Sequence, residues 1–304
     1  AAVVLNPEPF DAHSVWFSSG LDMNMVFSER SRREIVGKGL SARRVKLFPF
    51  PLNPEFRRRT TPPAVLRRRL GLAERPFTVL LFFGAEGRGP AKKYLAEIVE
   101  RGLDVQVVVI CGRNVRLRAD LDDKARHPRG SVRLAVRGFV TNVSDYIAAA
   151  DLVVGKSGPN QVFETLLQLR PIVISSFLAN EQRTSDWVIS NGVGWLCRTP
   201  HQFVGLLVRL LADRGILREY RANIRRLGLR SGAVEICEYL YDLARRHAGK
   251  PRRPRGLERL RQAARELGRT SRTRTAARRA VRKAARIVRR ARPARRPKRR
   301  PTGS

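Results

Sequence analysis

Acidic residues are scarce in this chain. Of 304 residues, 62 are Lys or Arg and 26 are Asp or Glu, a net charge of +36, and only nine of the 62 are Lys. A balance that basic points to a polyanionic surface or an anionic ligand. The preference for Arg also carries the stamp of a GC-rich genome, so each arginine is not a separate functional choice. Cysteine is almost missing. Cys111, Cys197 and Cys237 lie far apart with no C-x-x-C spacing, which excludes a disulfide framework or a zinc knot and implies a reducing compartment. No apolar run approaches the roughly 17–25 residues of a membrane-spanning helix. No repeat of about 20–50 residues is visible. The chain lacks an initiator Met and opens inside a strand-like run, Ala2-Val3-Val4-Leu5. It therefore reads as the distal part of a longer protein, and the lack of a signal peptide says nothing here.

What is present is enough apolar residue, 42% of the chain, for a sizeable core. The most informative stretch is 151–195. Asp151-Leu152-Val153-Val154 reads as a buried strand, 155–159 as a tight turn, 162–169 as a helix with Val162, Leu166 and Leu169 on one face, and 171–175 as a second strand. That is the strand–helix–strand unit of a parallel sheet, and such sheets bind ligands where strand ends meet helix N-termini. The amides of residues 160–163 would face that spot and suit a phosphate. Glu164, early on the same helix, offers a carboxylate to hydroxyl donors such as a ribose diol.

The other segments fit the same class. Residues 3–5, 25–27 and 45–48 read as strands and 29–38 as a helix; the Pro-rich 49–54 breaks regular structure and marks a boundary. A second α/β unit follows. It has strands at 78–83, 105–111 and 132–136, a glycine-rich loop at 84–89, and a helix at 142–150 capped by Thr141 or Asn142. Residues 201–211, 216–227 and 233–246 read as helices. The division is thus 1–54, 55–248 and 249–304. The last segment holds 23 Lys+Arg against 2 Asp+Glu, with weak apolar stripes at 257–267 and 277–288 and an Arg/Pro/Lys run at its end, a cationic helical and disordered tail.

Single motifs here are weak. The loop Gly84-Ala85-Glu86-Gly87-Arg88-Gly89 lacks both G-x-G-x-x-G spacing and a Walker lysine, and read alone it is more often a strand-to-helix turn than a phosphate loop. The ordered set is specific: that loop, then Cys111-Gly112-Arg113-Asn114, then Arg137-Gly138-Phe139-Val140-Thr141, then 151–195. With His13-Ser14-Val15-Trp16-Phe17, Ser28-Glu29 and Phe48-Pro49-Phe50-Pro51-Leu52 upstream, the chain over about residues 3–213 resembles the monogalactosyldiacylglycerol synthase branch of glycosyltransferase family 28, which also includes bacterial diacylglycerol glucosyltransferases.

The resemblance implies an α/β, GT-B architecture: a Rossmann-like donor domain with a parallel sheet, facing what remains of an N-terminal acceptor domain. It implies a hexosyltransferase moving a sugar from a UDP-sugar to a diacylglycerol-type lipid, with inversion and without a metal or other cofactor. The backbone at Phe139 and Val140 would meet uracil and Glu164 the ribose. Gly84, Gly87, Ser157, Gly158 and Asn160 would meet the diphosphate, and Glu181 and Gln182 would face the sugar. Lys156 would neutralise phosphate or else be a solvated turn residue. The base is expected from the part of the N-terminal domain upstream of Ala1. Within this chain the catalytic candidates are Glu8, where it or Asp11 would stand in for an Asp usual at that strand end, and His13, which is more often a structural cleft residue than a base. In the family a small or hydroxyl residue is common where Asn160-Gln161 stands, and Gln-Glu or Gln-Gln where Glu181-Gln182 stands. The chain is read as lacking an Asp-x-Asp motif, in agreement with a metal-independent mechanism.

Two rivals come from other classes. UDP-N-acetylglucosamine 2-epimerases share the fold and a Ser-Gly-x-x-Gln-x-x-Glu string, matched by Ser157, Gly158, Gln161 and Glu164, but carry Thr-Glu-Arg-Pro-Glu where this chain has Asn180-Glu181-Gln182-Arg183-Thr184. The other rival is an inactive, truncated glycosyltransferase with a polyanion-binding tail. The tail has no Phe, Tyr or Trp and so offers no stacking platform for single strands. An anionic membrane surface is the expected partner and nucleic acid the lesser one, which places the protein in the cytoplasm, peripheral on the inner face of the cell membrane.

Overall fold

In a computed structural model, the structure describes residues 2–11, 16–56, 58–126, 130–176 and 181–247. The tail, His13 and residues 177–180 lie outside them.

The first unit is a small parallel sheet, β1 (Val3–Leu5), β2 (Met23–Val26) and β3 (Val45–Leu47), in that order. Helix α1 (Glu29–Gly37) packs on it. Its N-cap is Ser28, whose hydroxyl accepts from the Ser31 amide at 3.1 Å, and it buries Ile35 against Val26 and Val45. Helix α2 (Pro63–Arg69) begins at proline, which suits the first helical turn.

The second unit has six parallel strands: β4 (Thr78–Phe82), β5 (Gln106–Ile110), β6 (Arg133–Arg137), β7 (Leu152–Lys156), β8 (Ile172–Ser176) and β9 (Gly194–Leu196). Their spatial order is β6-β5-β4-β7-β8-β9. The central strands read as continuous apolar runs because helices cover both faces. Val79, Leu81, Val107, Val109 and Val154 point to one core with helices α3 (Ala91–Glu100), α4 (Val115–Arg126) and, further along the chain, α8 (Pro200–Ala212). Leu80, Phe82, Val108, Ile110 and Val153 point to the other, with α5 (Val143–Ala149) and α6 (Pro159–Leu167).

Two elements were not expected from the sequence: β9 and helix α7 (Gln182–Ser190). The buried face of α7 is Thr184, Ser185 and Val188, so its stripe is small and polar rather than apolar. Asn142 does occupy the N-cap of α5, but its side chain makes no capping bond and instead donates to Asp145 at 3.4 Å.

The two units share a core. Phe27 meets Phe50 edge-on at 5.3 Å, Phe50 stacks on Phe163 of α6 at 4.6 Å, and Phe10 stacks on Trp187 of α7 at 4.7 Å. Arg183 of α7 pairs with Glu34 of α1 at 2.9 Å. After α9 (Gly215–Arg226), the final helix α10 (Ala233–His247) returns to the first unit. There Tyr239 lies against Phe48 at 5.4 Å under the Lys46 ammonium, and the Gly232 amide donates to the Phe50 carbonyl. A side chain at Gly232 would meet the Pro49 carbonyl at 2.1 Å, so the crossing demands glycine.

Candidate functional site

Strands β4 and β7 are neighbours, and successive strands run outward from them in opposite directions. At such a switch point the loops at the carboxyl ends diverge and leave a crevice. Gln161 ties its floor together: its amide donates to the Phe82 carbonyl and its oxygen accepts from the Lys156 amide at 3.3 Å. Its side chain is thus a bridge between strands.

The glycine loop is held by its neighbour. Gly87 (φ +56°) and Gly112 (φ +57°) interlock, since a Cβ on either would lie 2.0 Å from the carbonyl of Cys111 or Ala85 respectively. The Arg113 amide donates to the Ala85 carbonyl at 2.8 Å, and its guanidinium pairs with Glu86. Gly84 (φ +82°) lies over Lys156, whose Nζ would be 3.8 Å from a Cβ placed there. The ammonium therefore reaches beneath the loop from the end of β7.

Beside these loops is a cavity of about 360 Å³, lined by Glu55, Phe82, Ala85, Phe139, Val140 and Glu164 among others. Burial, reinforced by the charge of Glu55, pushes the Glu164 carboxyl up to about 7. Phe139 forms the lip; its ring is half exposed, with the Arg113 guanidinium 4.6 Å from its centroid. Arg137 is not available to a ligand in the same way, because it donates to the Tyr146 hydroxyl and the Leu70 carbonyl.

Phe139, Val140 and Glu164 thus line one cavity, with Gly84, Gly87, Lys156, Ser157, Gly158 and Asn160 in the adjoining loops and first turn. Of the four amides expected to face a phosphate, that of Val162 is spent on the Gly158 carbonyl at 3.1 Å. The Ser157 hydroxyl donates to Glu181 at 3.2 Å, and Gln182 opens α7. Glu181 therefore sits against the α6 N-terminus. Glu8 is buried in the first unit, where its amide donates to Asn6 at 3.1 Å. An Asp-x-Asp string does occur, Asp120-Leu121-Asp122, but on α4, with Asp120 paired to Lys92 and Asp122 to Arg118. Among the described residues no group of three His, Cys, Asp or Glu side chains is placed to hold a metal ion, and no helix is long and apolar enough to cross a membrane.

Sequence reasoning missed Glu55, Phe56 and Thr141 as lining residues. For Glu55 the sole signal was an acid directly after the Pro-rich crossing, in Pro54-Glu55-Phe56.

Residues 90–184 match the glycosyltransferase family 28 C-terminal domain. The chain is 26% identical over 248 residues to the probable chloroplastic monogalactosyldiacylglycerol synthase of Nicotiana tabacum, covering 79% of this chain and 46% of that one. It is 26% identical over 241 residues to monogalactosyldiacylglycerol synthase 2 of Arabidopsis thaliana, covering 76% and 51%. The chain thus spans about half the length of the curated relatives it matches. Among solved structures, Anabaena HepE in complex with UDP and glucose superposes with a TM-score of 0.51 at 15% identity, covering 80% of this chain and 70% of that one. WaaG, a glycosyltransferase involved in lipopolysaccharide biosynthesis, gives 0.52 at 13% identity over 72% and 62%. At these identities the structures speak for the fold, which is GT-B.

Proposed function

We propose that the chain is a monogalactosyldiacylglycerol-synthase-like member of glycosyltransferase family 28 and carries the donor half of a transferase that moves a hexose from a UDP-sugar to a diacylglycerol-type lipid. The observation that carries this reading is the cavity at the switch point. It combines an apolar wall at Phe82 and Val140, a Glu164 carboxylate with no hydrogen bond from any described residue, and a lysine under the adjoining loop.

Uracil would lie against Phe139 and Val140, and the ribose hydroxyls would donate to Glu164. The diphosphate would meet the 84–89 and 157–160 loops. In the reaction an acceptor hydroxyl attacks the anomeric carbon, the bond to the diphosphate oxygen breaks, and UDP leaves with the electron pair while a base takes the hydroxyl proton. Lys156 and the amides at the α6 N-terminus would stabilise the charge developing on UDP, in place of a metal. Attack opposite the leaving group inverts the anomeric centre. Within this chain Glu8 and His13 remain the proposed catalytic candidates. The 249–304 tail is proposed to hold the protein on an anionic leaflet at the cytoplasmic face of the cell membrane, where the lipid acceptor is concentrated.

Calorimetric titration with UDP tests the donor site. Wild type should bind, and Glu164→Ala should weaken binding by about 1.5–3 kcal/mol, the scale of a hydrogen bond to a charged group. The same affinity is expected in excess EDTA. Equal affinity of wild type and Glu164→Ala removes Glu164 from the site.

A further inference from the structure

Glu55 comes from outside the βαβ unit that supplies Glu164. It lies in a short 3-10 turn, Pro54–Phe56, directly after the Pro-rich crossing between the units. The turn is tightly held. The Glu55 amide donates to the Asn53 side chain at 3.0 Å, and the Phe56 amide donates to the Asn53 carbonyl at 2.8 Å. Phe56 is buried in the shared core, and its carbonyl accepts from Gln168 just past α6. The side chain of Glu55 reaches the same cavity as Glu164.

One of its carboxylate oxygens, Oε1, is buried and has no hydrogen-bond partner. Neither Glu55 nor Glu164 is in an ion pair with a described residue. A buried acceptor without a donor carries its full desolvation cost, and two carboxylates facing one cavity repel. That repulsion contributes, after burial, to the raised proton affinity of Glu164. A ligand presenting two adjacent hydroxyl donors relieves both costs at once. The vicinal 2′,3′-diol of a ribonucleoside has that form, and a deoxynucleoside does not.

We propose that Glu55 is a second ribose-recognition residue, accepting one hydroxyl of the diol while Glu164 accepts the other, so that the pair selects ribonucleotides over deoxyribonucleotides. The inference rests on the donor-site reading above. It assigns the linker between the two units a direct part in nucleotide binding: a rotation at the crossing that withdrew Glu55 would release one hydroxyl.

The test uses the full chain and three ligands: UDP, 2′-deoxy-UDP and 3′-deoxy-UDP. Wild type should bind UDP roughly 10- to 100-fold more tightly than either analogue, the factor expected for one hydrogen bond to a charged acceptor. Glu55→Ala should lose most of the discrimination against one analogue, and Glu164→Ala against the other. Glu55→Gln, which keeps an acceptor oxygen and the side-chain volume, should recover part of it. Discrimination by Glu55→Ala against both analogues as strong as in wild type would overturn the proposal, whether UDP affinity is unchanged or uniformly lower. In that case Glu55 acts only through the charge on Glu164 or through the turn. Wild type that fails to bind UDP overturns the donor-site reading and this inference with it. Binding that responds to Glu164→Ala but not to Glu55→Ala overturns this inference alone.

Discussion

Phe163 and Glu164 are consecutive on α6 and serve different partners. The Phe163 ring stacks on Phe50 at 4.6 Å and on Trp187 at 5.7 Å, within the core shared by the two units, while the next side chain lines the cavity. The aromatic stack therefore sets where the Glu164 carboxylate stands.

Removing that support should be costly. Phe163→Ala is expected to lower unfolding free energy by about 3–5 kcal/mol, the range for a large aromatic deleted from a core. UDP affinity of the folded protein should fall as well, since α6 loses its contact with Phe50. Phe163→Leu should lose less of both. Denaturant unfolding and calorimetry measure the two effects, and a Phe163→Ala protein with wild-type stability would remove the stack from the account.

Glu164 should make stability depend on pH in an unusual direction. Its folded value of about 7 lies above the ordinary 4.5, so between those values the folded chain holds a proton that the unfolded chain has released. The group's contribution is complete below about 4.5 and is lost as pH rises through about 7. Glu164→Gln should therefore match wild type at the acid end and melt at a higher temperature near about pH 8. UDP binding should run the other way in wild type, strengthening as the carboxylate ionises, and this step should be absent in Glu164→Gln. Parallel melting-temperature profiles for the two proteins would contradict the assignment.

Far from the cavity, Asp151 holds the opposite end of the sheet. It accepts from Arg67 at 2.7 Å, the Thr78 amide at 3.0 Å and Arg221 at 3.2 Å, and Arg67 is almost wholly buried. Asp151→Ala leaves that guanidinium without its counter-charge and should cost about 3–5 kcal/mol. Asp151→Asn should cost less, because an amide oxygen still serves Thr78. Neither should alter UDP affinity below the melting transition; a shift there would show that the two ends of β7 are coupled.

Between Gly249 and Ser304 the chain carries a net +21 and no aromatic residue. Deleting 249–304 should leave UDP binding unchanged and abolish sedimentation with anionic vesicles, each basic residue near the surface being worth about 1 kcal/mol. Equal sedimentation of the truncated and intact proteins, at the same salt, would exclude the tail as the anchor.

Much of the second unit was legible because its chemistry is local. Strands β4, β5, β7 and β8 are short and mostly buried, each built on a run of three or four apolar residues, and α6 shows its face as Val162 and Leu166, so each element declares itself within a few residues. The placement of Phe139, Val140 and Glu164 around one cavity follows from strand ends meeting helix starts in a parallel sheet. Helix α7 escaped because Thr184 and Ser185 fill its buried face, and β9 because three residues are too few to show a period. For Glu55 the sequence offered nothing beyond its place after the Pro-rich crossing. Its approach to Glu164 depends on the crossing turn being held by Phe56 in the shared core and by Gln168, a partner 112 residues along the chain. The sequence alone determined the class of fold and the loops at the strand ends, since these rest on hydrophobic period and turn chemistry. Which acids face each other across the cavity, and which amides are already spent, was decided by packing between segments distant in the chain.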